Sequence, residues 1–248
     1  IFYLTIQALV LKVITLWGII KFTLIIIFII SLIYLSKYLL KFYLKRAVNL
    51  INKGNLDYKN LIIKRLNNAF FIKVAKIYLT ILARLKRPAI LTIIQKINYY
   101  NIGVETIAKE IKNTERSQKE EFELIGELLY LLINLNFREQ KITAEIIKNL
   151  NNPIILTPIK NILKKKSNYK INKNAIYLFL EIIESFRLEA RDFSHLLKNL
   201  IEEENDEWLK YYAVKAYLKI GRKDKDYSKF IVKIKKREKE PVILALKK

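Results

Sequence analysis

Fifteen consecutive uncharged residues, Phe22 to Ser36, read FTLIIIFIISLIYLS and leave this chain few ways to fold. An α-helix needs about 20 apolar residues to cross roughly 30 Å of hydrocarbon. The stretch therefore becomes a span only when extended backward through Lys21 into VITLWGII, which predicts a transmembrane helix over about 14–36. Lys21 then lies about one turn inside the outer boundary, where its long stem can snorkel outward. Trp17 on one side and Tyr34, Tyr38 and Tyr43 on the other occupy the places of interfacial aromatics. As a core helix of a soluble domain, so continuous an apolar surface would need protein on every side. A cleavable signal would end in a small-residue site, where this run meets Ser36, Lys37 and Tyr38. Residues 1–46 are thus expected to form an uncleaved membrane anchor. Lys37, Lys41, Lys45, Arg46 and Lys53 follow the span, against Lys12 and Lys21 before it. By the positive-inside rule the expectation is a single-pass protein of the cell membrane with its C-terminal part in the cytoplasm. The leading IFYLTIQALVL fits either an external amphipathic tail or part of another hydrophobic element.

Composition removes several classes of protein. With 52% hydrophobic residues among 248, the chain has room for a core and is not a disordered chain. Its 46 Lys+Arg against 23 Asp+Glu exclude an acidic one. Five glycines and four prolines fall far below the roughly 7% and 5% of average usage, which starves the sequence of hairpin turns and argues against an all-β fold. The absence of cysteine removes disulfides, thiolate nucleophiles and cysteine-ligated metals together. The wealth of Ile, Lys and Asn looks like the base-composition bias of an AT-rich genome, which discounts net charge as a functional signal.

Past a basic linker at 47–54, the helical period dominates. In 88–100 the residues Ile90, Leu91, Ile94 and Ile97 form one stripe, and Ser117 with Glu120 forms a capping box opening a helix. The pattern predicts helices near 56–67, 70–85, 89–100, 103–113, 118–135, 140–150, 154–165, 172–186, 192–203, 206–220 and 225–237, joined by brief polar clusters such as Lys165–Asn168. Short loops between short amphipathic helices make neighbours antiparallel, so the expected class is all-α, a transmembrane helix followed by stacked antiparallel helical hairpins. Four helices share an apolar centre with small residues, and aligning Ala75, Ile125, Ala175 and Ala213 gives spacings of 50, 50 and 38 residues. The last, DEWLKYYAVKAYLKIG, resembles the second helix of a HEAT repeat, whose small residues let hairpins stack closely. The resemblance covers 55–248 and implies a HEAT-like α-solenoid, without the usual Asp/Arg ladder. A generic helical bundle is the alternative.

The sequence holds little that could carry out catalysis. The five glycines are all more than twenty residues apart, so no glycine-rich loop can cradle phosphates. His195, the only histidine, sits beside Ser194 and near Asp192 on one local segment, whereas a triad must converge from separate elements. Asp224, Asp226 and Ser228 echo the start of a calcium loop, but Lys229 and Lys235 stand where its glycine and its glutamate belong. Carboxylates at Glu120/Glu121/Glu123, Glu181/Glu184 and Glu202/Glu203/Glu204 fall on polar faces among lysines. The expectation is no enzyme, no cofactor and no metal.

Charge distribution says more. From Arg46 to Val104 there are eleven basic residues against one acid, Asp57, a net of +10. A block this basic after a membrane helix has a natural counter-charge in anionic lipid head groups. The expected contacts with lipid or with a partner are Lys41, Lys45, Arg46, Lys64, Arg65, Arg84, Lys86 and Arg87. A basic helical stack carrying Tyr78, Tyr99 and Tyr100 could instead hold a nucleic acid, but no reading motif is present and these aromatics sit on apolar stripes, which predicts packing in the core. Solenoids present extended protein-binding surfaces. The reading is therefore a membrane-anchored scaffold or accessory subunit binding a protein partner, a membrane protein or complex, at the cytoplasmic face. The HEAT resemblance implies accessory proteins of larger membrane machines.

Overall fold

The computed structural model describes residues 2–164, 171–221, 226–237 and 242–246, with side chains from residue 20 onward except those of Leu188 and Arg237. The chain divides into two compact units, 1–54 and 55–248. All regular structure among the described residues is helical.

The first unit is one helix, α1, Phe2–Asn52. At 1.5 Å per residue its 51 residues extend about 77 Å, more than twice the hydrocarbon thickness of a bilayer. The segment Ile20–Asn52 is long and apolar enough to cross a membrane, and none of its most apolar window is buried. Helix persists through most of the expected linker at 47–54 because no glycine or proline interrupts the chain between Lys37 and Asn52. It stops at Gly54, whose φ of 95° is a conformation other residues adopt at a cost, and whose N–H donates to the Ile51 carbonyl at 2.9 Å.

The second unit begins with α2 (Leu56–Asn67), α3 (Ile72–Ala83), α4 (Ile90–Tyr100) and α5 (Val104–Lys112). It continues with α6 (Gln118–Asn134), α7 (Phe137–Leu150), α8 (Leu156–Lys164) and α9 (Lys173–Phe186). A 3-10 segment, Arg187–Phe193, leads into α10 (Ser194–Glu203), followed by α11 (Glu207–Ile220), α12 (Tyr227–Arg237) and α13 (Val242–Leu246). Polar side chains cap the starts of five of them. Asn55, Asn136, Asn172 and Asp206 accept backbone N–H groups of the first turn, and Ser117 with Glu120 makes the expected capping box. In a glycine-poor chain, asparagine also ends helices: Asn101 and Asn151 take the left-handed conformation at φ 51° and 49°.

Alternate helices pack in series. α3 contacts α5, α5 contacts α7, α7 contacts α9, α9 contacts α11 and α11 contacts α13. The intervening helices lie against this row, with α6 on α7, α8 on α9 and α10 on α11. Helices of the row begin at Ile72, Val104, Phe137, Lys173, Glu207 and Val242, separations of 32, 33, 36, 34 and 35 residues. The grouping of Ala75, Ile125, Ala175 and Ala213 mixed the two sets. Three of these residues belong to row helices α3, α9 and α11, while Ile125 belongs to α6. All four are buried, so the local pattern could not separate them.

Candidate functional site

The exposed apolar helix is the first candidate. From Phe22 to Leu35 the large side chains are at least two-fifths exposed, Phe22 at 65% and Phe28 at 63%. Lys37, Lys41, Lys45 and Arg46 follow on the same helix. Ser36, the polar residue at the end of the run, satisfies itself by donating its hydroxyl to the Ile33 carbonyl at 2.9 Å. Trp17 lies where only the backbone is described.

The basic residues of the second unit separate into two groups. Lys64 and Arg65 occupy the last turn of α2, next to the turn into α3. Arg84, Lys86 and Arg87 follow the far end of α3, whose 12 residues span about 18 Å. The second group is engaged with acids that arrive from other helices. Arg84 Nε donates to Glu110 Oε2 at 2.6 Å, which holds its guanidinium above the usual arginine value, and Arg87 Nε pairs with Glu123 Oε2 at 3.0 Å. Arg116 threads beneath them, donating to the Leu85 and Lys86 carbonyls, and its burial pushes its pKa down.

The tyrosines differ from expectation. Tyr78 and Tyr100 are half-buried, but Tyr99 is 75% exposed, with Lys96 Nζ 5.2 Å from its ring centroid. One helix period cannot bury both members of a Tyr-Tyr pair at its edge.

A third feature was not anticipated. Lys148 of α7, Glu181 and Glu184 of α9, Arg187, and Lys215 and Lys219 of α11 line a groove of about 480 Å³. Lys148 bridges Glu145 at 2.7 Å and Glu181 at 3.3 Å, and Lys215 pairs with Glu184 at 3.1 Å. Burial opposes the charge of both lysines, yet the carboxylates outweigh it and hold both ammonium groups above the usual value. An aromatic cluster lies on the same two helices: Tyr177 and Tyr212 have ring centroids 5.3 Å apart, Tyr211 lies 5.3 Å from Tyr212, and Trp208, 56% exposed, lies 5.8 Å from Tyr211. The signal for this face was present in the spacing Lys173, Tyr177, Glu181, Glu184, the polar stripe of α9.

The carboxylate clusters have structural partners. Glu120 caps α6, Glu121 accepts from Asn152 at 2.7 Å, and Glu202 pairs with Lys233 at 2.5 Å. A second groove of about 580 Å³ is lined by Asp192 and the exposed His195, but Ser194 is not among its lining residues. No group of three or more metal-ligating side chains converges among the described residues. Asp224 of the calcium-like echo and the connector Lys165–Asn168 lie outside the described residues. No family model, curated protein or solved structure matches the chain.

Proposed function

We propose that this chain is a single-pass protein of the cell membrane whose second unit is a cytoplasmic helical-repeat scaffold, an accessory subunit that binds a protein partner at the membrane face. The observation that carries the reading is the apolar surface of α1: a run of Ile, Leu and Phe with no buried side chain would be unstable in water at about 25 cal/mol per Å², and a bilayer removes that cost. The solenoid arrangement is supported by the serial contacts of α3, α5, α7, α9, α11 and α13 and by their 32–36 residue spacing, shorter than the spacings of 50 and 38 first aligned. The partner surface is the row face of α9 and α11, where Trp208 and Tyr211 are adjacent to the charged groove, since aromatic anchors beside paired charges are what protein interfaces enrich. Lys41, Lys45 and Arg46 serve the anionic lipid flank of the span.

Crosslinked membrane pulldown with mass spectrometry tests this on the full chain. A protein recovered with the wild type, lost with Trp208→Ser plus Tyr211→Ser and kept with Phe122→Ser, a change at an exposed residue of α6, supports the reading. RNA or DNA recovered in stoichiometric amount at physiological salt would overturn it in favour of a nucleic-acid protein.

A further inference from the structure

The turn between α2 and α3 carries three consecutive large apolar side chains in solvent: Phe70 is 90% exposed, Phe71 66% and Ile72 52%. Phe70 is the most exposed large hydrophobic residue among those described. The two phenyl rings pack on each other, 5.3 Å apart and edge to face, rather than on the core. Phe71 is also the N-cap of α3, and it makes no side-chain capping bond. Asn, Ser or Asp is favoured at that position, and Asn55, Ser117, Asn136, Asn172 and Asp206 supply it elsewhere in this unit. Ala89, Gly103 and Phe193 also open helices without such a bond, so what sets Phe71 apart is exposure: it stands in solvent beside Phe70, whereas Phe193 is buried.

The turn is held in place from below. The Tyr100 hydroxyl at the end of α4 reaches the carbonyls of Leu66 and Ala69 at 3.1 and 2.8 Å, so the end of α4 and the α2–α3 turn share one end of the unit. That contact brings the exposed Tyr99, with Lys96 over its ring, to the same end as Phe70 and Phe71. Lys64 and Arg65 in the last turn of α2 and Lys73 in the first turn of α3 flank the tip and are exposed. Between Asp57 and Val104 the sequence has no acid. Phe70 follows the end of the apolar helix α1 by 18 residues.

We infer that the α2–α3 turn is a second membrane contact, in which Phe70, Phe71 and Ile72 insert into the head-group boundary of an anionic bilayer while Lys64, Arg65 and Lys73 meet its phosphates. Apolar tips ringed by cations and free of acids bind such interfaces by burial and charge together, and tyrosine at the rim, as Tyr99, suits the head-group depth. The bilayer is chosen over a protein partner because the tip is small, uniformly basic at its edge and tethered close to a span. The inference rests on the reading that α1 lies in the membrane.

The chain has no cysteine, so single cysteines can be labelled cleanly. The full chain is reconstituted with an environment-sensitive dye at Ile27→Cys, Phe70→Cys or Phe122→Cys, in vesicles of phosphatidylcholine with or without phosphatidylglycerol and with nitroxide-bearing lipids. The expected result is blue-shifted, lipid-quenched emission at Ile27→Cys in both vesicles, the same at Phe70→Cys only with phosphatidylglycerol, and none at Phe122→Cys. Adding Lys64→Glu, Arg65→Glu and Lys73→Glu should return Phe70→Cys to its aqueous spectrum and leave Ile27→Cys unchanged. If Ile27→Cys is quenched while Phe70→Cys stays aqueous in both vesicles, this inference fails and the anchor stands. If Ile27→Cys itself stays aqueous, the anchor reading fails first. A Phe70→Cys shift that ignores lipid charge, or that grows with protein concentration in lipid-free micelles, overturns the inference in favour of a neutral-lipid or self-association surface.

Discussion

Helices α1 and α9 are both rich in Ile, Leu and Phe, and they dispose of those residues in opposite ways. In α9, eight of fourteen residues are buried, and Lys173, Tyr177, Glu181 and Glu184 form one polar stripe that keeps the rest against neighbouring helices. In α1 the stretch Phe22–Ser36 has no such stripe, and its large side chains stay exposed all round. Apolar content alone therefore does not tell a core helix from a spanning one. What separates them is whether charge returns every third or fourth residue, since that decides whether a helix has one environment or two.

The largest effect should come from putting charge where α1 has none. Phe28→Asp with Ile29→Asp places two carboxylates in the middle of the apolar stretch, each costing about 2.5–3.5 kcal/mol if that stretch lies in a bilayer. The expected outcome is transfer of the chain from the carbonate-resistant membrane fraction to the soluble or aggregated one. If the double variant remains membrane-embedded, α1 does not belong in hydrocarbon.

Next comes the core side of the comparison. Phe179 in α9 is fully buried, and Phe179→Ala should cost about 3–5 kcal/mol through lost burial and a cavity. Phe28→Ala, a change of the same size on an exposed ring, should leave urea unfolding of the second unit unmoved, measured by helicity in micelles. Equal losses at both positions would mean that α1 is packed like α9.

How much was legible follows from the same contrast. Stripes and caps predicted α2, α9 and α11 to within a residue or so, because Asn55, Asn172 and Asp206 stop the register locally. The apolar period places the start of α7 at 140, three residues late, because the cap that starts it, Asn136 accepting from the Glu139 N–H, lies ahead of the apolar stripe. The short α13 was not anticipated; five apolar residues carry no period. Which helix joins the row was not readable either, since Ile125 and Ala175 are equally buried in different layers. The basic block was visible as composition, but its division by the length of α3 and the capture of Arg84 by Glu110, 26 residues later, are long-range facts.

A smaller effect tests the close packing at the end of α11. Gly221 has an ordinary φ of −81°, so its role is room rather than backbone freedom. A Cβ there would lie 2.7 Å from the ring of Tyr217, which is fully buried and stacked 5.6 Å from Tyr227. Gly221→Ala should destabilise by about 1–3 kcal/mol, the range for overpacking. Gly126→Ala on α6, where a Cβ meets nothing within 4 Å, should be neutral or slightly stabilising.

The smallest predicted effect depends on pH. Asp206 caps α11 by accepting from the Trp208 and Leu209 N–H groups at 3.0 Å each, and its other oxygen accepts from Lys173 Nζ at 2.8 Å. The Lys173 hydrogen bond, with the two backbone donors adding to it, holds the Asp206 carboxyl below its ordinary value. A carboxyl whose folded pKa is depressed contributes stability that is complete above its unfolded value of about 3.9 and is lost as pH falls through the folded one. Asp206→Ala should therefore cost about 1 kcal/mol at pH 7, the usual worth of an N-cap. Asp206→Asn keeps the cap and loses only the charge, so its smaller deficit should begin to shrink as pH falls below the unfolded value of about 3.9 and disappear once the folded wild-type carboxyl is protonated too. A deficit for Asp206→Asn that persists unchanged down to the folded pKa and beneath it would show that the charge of Asp206 does not contribute to stability, and that α11 is held by packing, as α9 is, rather than by its cap.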